Sequence, residues 1–288
     1  MPTDIVIEYC AVNVAAHPHP EGVYENILRQ AALKPVQYWG DHFATISEPV
    51  EREPGFLQGR LVAWTEIDPT EPAVYKDRLT EVDISDLDIR IPENIGFNGR
   101  IFYYVFRTSD HTMFVETKNE FGKTLSATRV EKILSNLLSP TTLGPNAPLV
   151  EVTLIPDEDA LNRILRLDVL RRLEIHLVRP NADDVDVEDV LAELEAQGAK
   201  SLEKTLVAAP GGGGLKPDEK TTTQARVAEF NGYVVGSGNE GDGTAVKLST
   251  KEHPRIFKRT LAEIGSAIAA ALALGKEAIT RRQADQDI

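Results

Sequence analysis

Glu116 and Lys118 lie two residues apart at the end of a predicted strand and match part of a catalytic motif. In metal-dependent nucleases, carboxylates hold Mg²⁺ and a lysine orients the attacking water. Such a site also needs an aspartate on a neighbouring strand, and neither Asp88 nor Asp110 is well placed for that role. Alternating Glu and Lys are more often simply the solvated face of a strand. A nuclease is therefore an alternative hypothesis, and we predict no metal site.

Residues 236–241 read Gly-Ser-Gly-Asn-Glu-Gly, which are the letters of the dinucleotide-binding fingerprint. The fingerprint works only if a helix begins at the third glycine, because the helix N-terminus faces the pyrophosphate. Here residues 242–244 lead into another β-type run. We interpret the segment as a hairpin turn and predict no cofactor.

Two basic clusters remain as candidate ligand-binding residues. The first surrounds the predicted start of the terminal helix and contains Lys247, Lys251, Arg255, Lys258 and Arg259. The second lies within residues 163–179 and includes Arg171 and Arg172. Such side chains can bind phosphates without reading base sequence, or can simply lie over an apolar core. The leading hypothesis is non-enzymatic DNA binding, with Arg255, Lys258 and Arg259 on the phosphates.

The overall charge opposes indiscriminate binding to nucleic acid, because 31 basic and 45 acidic residues give a net charge of −14 over 288 residues. The charge is unevenly distributed. Residues 65–93 hold nine acidic and three basic side chains. This acidic segment motivates a third hypothesis, a protein-interaction module that docks a basic partner.

Composition excludes several classes of protein. With 42% hydrophobic and 26% charged residues, the chain has the profile of a globular protein. No stretch approaches the roughly 20 apolar residues of a membrane helix. The first ten residues carry Asp4 and Glu8 without a basic run, so we predict no secretory signal. A single cysteine, Cys10, excludes a disulfide within the chain. We expect a cytoplasmic protein without a membrane segment.

The secondary structure that carries these residues can be predicted from the spacing of apolar residues and from glycine and proline breakers. Strands are predicted at 5–14, 42–46, 56–67, 101–106, 112–117, 149–155, 173–178, 205–209, 233–235 and 244–248. Helices are predicted at 21–33, 126–138, 157–170, 187–197 and 256–279. Thr128 and Glu131 fit a capping box. The order predicts an α+β fold, with mixed or antiparallel sheets, packed helices and a long C-terminal helix.

A linker rich in proline and glycine at residues 139–148 is the best candidate for a domain boundary. We therefore predict two α+β domains. The N-terminal domain comprises residues 1–140, and the C-terminal domain comprises residues 149–288 with the terminal helix.

Two passages resemble known families. Residues 102–105 and 114–117, with the predicted helix 130–138, resemble the RexA family of phage-exclusion proteins from lambda-like prophages. Residues 167–175 and 179–184 resemble an uncharacterised bacterial family, domain of unknown function 4747. The first resemblance implies a dimeric, DNA-binding protein that serves phage exclusion and is not an enzyme. The acidic balance of this chain departs from that pattern, and no individual binding residue is carried over.

Overall fold

The computed structural model describes residues 5–157, 159–180, 187–261 and 265–284, with side chains to Glu277. Within these residues the strands are β1 Val6–His17, β2 Val36–Trp39, β3 His42–Ile46, β4 Val50–Glu53, β5 Phe56–Thr65, β6 Ala73–Tyr75, β7 Thr80–Val82, β8 Phe97–Arg107, β9 Thr112–Lys118, β10 Leu149–Leu154, β11 Val169–Val178, β12 Ser201–Val207, β13 Gly232–Asn239, β14 Ala245–Ser249 and β15 Ile256–Thr260. The helices are α1 Val23–Ala31, α2 Ala127–Leu137, α3 Pro140–Leu143, α4 Ala160–Leu165, α5 Glu188–Ala196, α6 Glu219–Phe230 and α7 Ala267–Ala284.

Nine of these strands form the first sheet, in the order β10-β1-β9-β8-β5-β3-β2, with β4 on β5 and β15 on β1. Every pairing in this sheet is antiparallel. The long strand β1 pairs with β9 along one edge. Along its other edge, residues 12–17 pair with β10 and residues 6–10 pair with β15. Two strands from the second half of the chain therefore complete a sheet that the first half begins.

The second sheet is built from a segment inserted between β10 and β15. The chain leaves the first sheet at Pro156 and returns at Pro254, and these two residues form an antiparallel bridge. The intervening residues carry the antiparallel sheet β12-β11-β13-β14. The division into two domains at residues 140 and 149 stays a prediction. The sheets divide the chain differently, because the residues between Pro156 and Pro254 form the second sheet while β10 and β15, on either side of them, belong to the first.

Both sheets are covered by helices. One face of the first sheet packs α1 and α2, and part of its other face packs α7 through Ala267, Ala270 and Leu274. The second sheet packs α4, α5 and α6 on one face. The fold is α+β with antiparallel sheets and a C-terminal helix, as predicted. Among the described helices, none has the length and apolar character needed to cross a bilayer.

The predicted helix 256–279 is wrong in its first part, because Ile256–Thr260 form strand β15. Phe257 packs against the core beneath α7, while the next residue, Lys258, is exposed. This alternation is that of a strand. Five residues are too few to separate the two periodicities, and the unpaired edge of β1 decides the outcome.

The predicted capping box at Thr128 and Glu131 is also wrong. Ser126 is the N-cap of α2, and its side chain accepts a hydrogen bond from the backbone N–H of Arg129. Glu131 instead forms an ion pair with Lys251, with 3.0 Å between Oε2 and Nζ. A long-range contact thus takes a side chain that the local motif assigns to the helix end.

Candidate functional site

The basic residues on β15 do not share one surface. Lys258 and Arg259 are consecutive in a strand, so their side chains point to opposite faces of the sheet. Lys258 Nζ lies 3.7 Å from Glu8 Oε1, and Arg259 forms an ion pair with Glu277. The guanidinium of Arg255 lies 4.9 Å from the centroid of the Phe257 ring. Carboxylates and an aromatic ring therefore already contact these cations.

Three other candidates lie in the second sheet. Arg172 on β11 pairs with Ser237 on β13, which pairs in turn with Lys247 on β14. The neighbouring row, which contains Leu173, faces the helices, so the Arg172 row faces away from them. Arg171, at a bulge in β11, donates a hydrogen bond to Asn239. The structure thus brings Arg172 and Lys247 into one cross-strand row.

This row is not free of negative charge. Arg172 forms an ion pair with Glu174, two residues further along β11, and its side chain is half exposed. Lys247 is exposed on the edge strand and makes no ion pair within 4.0 Å with any described residue. Of the two cations, Lys247 is the more available to a ligand.

Lys251 lies in a cleft of about 490 Å³ between α2 and the second sheet. Its ammonium group is held between Glu131 and the face of Tyr233, whose ring centroid is 5.8 Å away. Tyr233 stacks on His176 with 4.8 Å between the ring centroids. Of these contacts, the Lys251–Glu131 ion pair joins the inserted segment to helix α2, which packs on the first sheet.

Glu116, the alternative catalytic residue, is fully buried on β9. One carboxylate oxygen, Oε2, accepts a hydrogen bond from the backbone N–H of Tyr103 at 3.0 Å, and Oε1 has no hydrogen-bond partner among the described residues. Burial raises the pKa of Glu116 to about 7. Lys118 is half-buried at the strand end, paired in register with Glu8. A carboxylate enclosed in this way cannot reach a phosphodiester unless the cover moves.

The aspartates needed to complete the nuclease motif are not close to Glu116 by any described contact. Asp110 forms an ion pair with the buried Arg107 in the β8–β9 turn. Asp88 is exposed in the segment between β5 and β8. Among the described residues, no group of three or more His, Cys, Asp or Glu side chains is placed to hold a metal ion.

In the segment that matches the dinucleotide-binding fingerprint, residues 236–241, glycines allow close packing of neighbouring atoms. Gly236 and Gly238 lie inside β13, and the turn follows from Glu240 to Thr244. A Cβ atom on Gly236 would lie 2.3 Å from Ile164 Cγ2, and one on Gly238 would lie 2.1 Å from the Val169 carbonyl oxygen. No helix begins at the third glycine, so the segment lacks the geometry that binds pyrophosphate.

The acidic segment belongs to an excursion of the chain, residues 66–96, which we call the acidic arm. It holds the small hairpin β6-β7, which forms a sheet of its own. No residue of the acidic arm is buried. Among the described residues, Asp77 with Arg78 is the ion pair within 4.0 Å that involves an acid of the arm. The arm is therefore a negative surface whose charge the fold leaves largely uncompensated.

The arm also exposes large apolar side chains, which the charge analysis of the sequence did not single out. The most exposed is Leu79, at 82% of its full area, in the β6–β7 turn. Its φ angle is +52°, a conformation that a branched side chain rarely adopts. Val74 and Ile89 are more than half exposed as well. The sequence did contain a signal for this exposure, because apolar residues that stand among acids and prolines are poorly placed to form a buried core.

The two ends of the acidic arm meet. Thr65, the last residue of β5, pairs in register with Phe97, the first residue of β8. The arm therefore replaces what would otherwise be a tight turn in a β-hairpin. The sheet that carries it contains no residue of the arm.

Comparison with known proteins identifies the family but no activity. No curated protein matches the chain. A family model described as a domain of unknown function, DUF4747, matches residues 5–275, which spans both sheets and the start of α7. The chain belongs to the DUF4747 family.

Proposed function

We propose that this protein is an interaction module that docks a basic partner through its acidic arm. The observation that carries the proposal is that no residue of the arm is buried, although the arm spans 66–96. Ordering a chain costs about 1–2 kcal/mol per residue in backbone entropy, which burial normally offsets. A long segment in which no residue is fully buried is typical of a surface that gains its contacts from a partner.

The charges and apolar groups of the arm indicate the chemistry of that partner. Nine acids against three bases favour a basic surface, and steering by such charges increases association rates most at low salt. Leu79, Val74 and Ile89 offer apolar side chains between the acids. Binding energy at interfaces is concentrated in a few anchors of this kind. The partner we propose is therefore a basic segment with apolar side chains.

A charge-neutralised arm tests the proposal with two labelled ten-residue peptides as probes, one of lysine alone and one alternating lysine with leucine. The arm variant combines four substitutions: Glu71→Gln, Glu81→Gln, Asp86→Asn and Asp88→Asn. We expect it to bind both peptides about tenfold more weakly at low salt. The matched control neutralises four exposed acids elsewhere: Glu21→Gln, Asp41→Asn, Glu48→Gln and Glu240→Gln. Equal losses in the two variants would contradict a docking role of the arm.

Leu79 is tested separately. Leu79→Ser should weaken binding of the alternating peptide while leaving binding of the lysine peptide unchanged. Leu33→Ser is a close control, because Leu33 is also highly exposed, at 72%, with a φ angle of +61°. If the two variants behave alike, the apolar part of the proposal is wrong.

Nucleic-acid binding is a second candidate, supported by the row of Arg172, Ser237 and Lys247 on the face of the second sheet that turns away from its helices. Cations aligned across strands can contact successive phosphates. The resemblance to the RexA family adds an expected DNA partner, a homodimer and a role in phage exclusion, and we retain these, with a cytoplasmic location, as proposals. Undetectable binding to a short duplex at low salt would remove this candidate.

A further inference from the structure

We propose that docking of the terminal helix α7 on the first sheet is coupled to protonation of Glu116, so that the helix separates from the sheet once this carboxyl is ionised. The released helix would uncover an apolar sheet face that includes Ile7, Val105 and Phe114. The proposal uses Glu116 as a buried titratable group and is independent of the acidic arm.

The geometry places Glu116 on the sheet face that α7 covers. Tyr9 on β1 is paired directly opposite Glu116 on β9. Partners in an antiparallel pair share a face, and the hydroxyl of Tyr9 donates a hydrogen bond to the carbonyl oxygen of Ala267 at 2.5 Å. Phe114, two residues before Glu116, packs in the same cluster as Ala270. The start of α7 therefore lies over the region of Glu116.

The helix is fitted closely to this face. Small side chains, Ala267, Ala270 and Ala271, let its backbone approach the sheet. At the far end, Arg107 donates a hydrogen bond to the carbonyl oxygen of Gly275, and a Cβ atom on Gly275 would lie 3.0 Å from the ring of Phe56. Water has little access to the carboxyl while these contacts persist, since Glu116 has no exposed area.

Among the described residues, no cation forms an ion pair with Glu116 within 4.0 Å, and the backbone N–H of Tyr103 on β8, which donates a hydrogen bond to Oε2, offsets only part of the cost of a charge there. Tyr9 faces Glu116 from β1, and burial holds the pKa of this phenol above its usual range, so it stays neutral. Arg259 on β15 pairs with Glu277 of α7. The small side chains of α7 in this cluster carry no charge. On its own strand, Lys118 is half-buried beside Glu8, and Glu120 further disfavours ionisation. A buried unpaired carboxylate is costly, and hydration after undocking removes that cost.

The proton balance gives the direction of the effect. Docked, the pKa of Glu116 is about 7, while a hydrated glutamate titrates at its ordinary value of 4.5. Between these values undocking releases a proton, so the undocked fraction rises with pH. It rises about tenfold for each pH unit and levels off above the docked pKa.

Hydrogen exchange of the full chain tests the coupling. Amides of residues 267–277 should lose about tenfold in protection between pH 5.5 and 6.5, after correction for intrinsic exchange rates. Amides of α2, on the opposite face of the same sheet, should not change in this interval. Glu116→Gln, which carries no proton to release, should make the protection of α7 independent of pH.

A second buried acid supplies the control. Burial also raises the pKa of Glu229 in α6 to about 7, yet this residue belongs to the inserted segment. Glu229→Gln should leave the pH dependence of α7 unchanged. Persistence of that dependence in Glu116→Gln would overturn the proposal. So would equal losses of protection in α2 and α7 of the unaltered chain, a comparison that needs no variant to fold.

Discussion

The acidic arm and the basic clusters carry opposite charges, and the fold treats them differently. In the described structure, Lys251, Lys258, Arg259 and Arg172 each lie within 4.0 Å of a carboxylate of the same chain. In the arm, Asp77 beside Arg78 is the acid with such a contact. A carboxylate beside a cation offsets part of its positive charge, so a phosphate gains less from binding that cation than from binding an unpaired one. The comparison favours the arm as the docking surface.

Removal of the arm should produce the largest effect. Because Thr65 and Phe97 pair in register, residues 66–96 can be replaced by Asn-Gly, a two-residue turn typical of hairpins. We expect binding of the lysine peptides to be abolished. The melting temperature should not fall, because no buried residue is lost and because a two-residue turn has a lower entropy cost of closure than a long loop.

Near-UV circular dichroism and thermal unfolding of the deletion variant check that the rest of the chain is intact. A melting temperature lowered by many degrees would show that the arm stabilises the fold, which would weaken the comparison between the two regions.

Glu116 is the acid that contrasts most with those of the arm, because it is buried. Its pKa is raised to about 7 by burial, so the folded state binds a proton more tightly than the unfolded state. The free energy of unfolding should therefore fall as pH rises from about 4.5 to 7, by about 3 kcal/mol from this residue. Urea unfolding across this interval measures the slope.

The Glu116→Gln variant should lose the contribution of Glu116 to the measured slope, whereas a contribution of the same sign should remain from Glu229, whose pKa burial also raises to about 7. A variant in which the three arm acids Glu71, Glu81 and Asp88 become amides should keep the full slope, because those side chains are exposed. If this triple variant flattened the dependence of the unfolding free energy on pH, the distinction between buried and exposed acids would be wrong.

A smaller effect should separate the two basic regions. Arg172→Gln with Lys247→Gln should lower the dependence of duplex binding on salt by about two units, if both residues contact phosphates. Lys258→Gln with Arg259→Gln should change it less, because Glu8 and Glu277 already pair with these cations. Filter binding over a salt series measures both slopes. Equal slopes in the two variants would remove the difference between the regions.

The smallest effect is expected from freeing the paired cations. Glu8→Gln with Glu277→Gln removes the carboxylates beside Lys258 and Arg259. Since exposed pairs contribute only about 0.2–1 kcal/mol, duplex affinity should rise by about two- to fivefold. No gain at low salt would show that these cations are poorly placed for a ligand even when unpaired.

Local pattern was sufficient for most elements. The alternating hairpin at β8 and β9 and the apolar stripe of α2 correspond to the predicted segments. Prediction from local pattern failed where a long-range contact competed with the local preference. Residues 256–260 joined β1 as a strand, and Glu131 left its expected capping role for Lys251.

The site was less predictable than the fold, because charge counts do not record pairing. Nothing near Lys258 in the sequence indicates Glu8, and nothing near Arg259 indicates Glu277. Glu116 is a second example. Its Glu-x-Lys spacing is typical of a strand face exposed to solvent, but its side chain lies beneath α7 and is fully buried.

Residue types and their spacings along the chain are enough to predict the α+β class and to locate the acidic segment. Contacts between distant segments, in contrast, insert the second sheet between β10 and β15, pair four of the candidate cations with carboxylates and enclose Glu116. Those outcomes depend on which distant segments meet, and that is set by the pairing and burial of the whole chain.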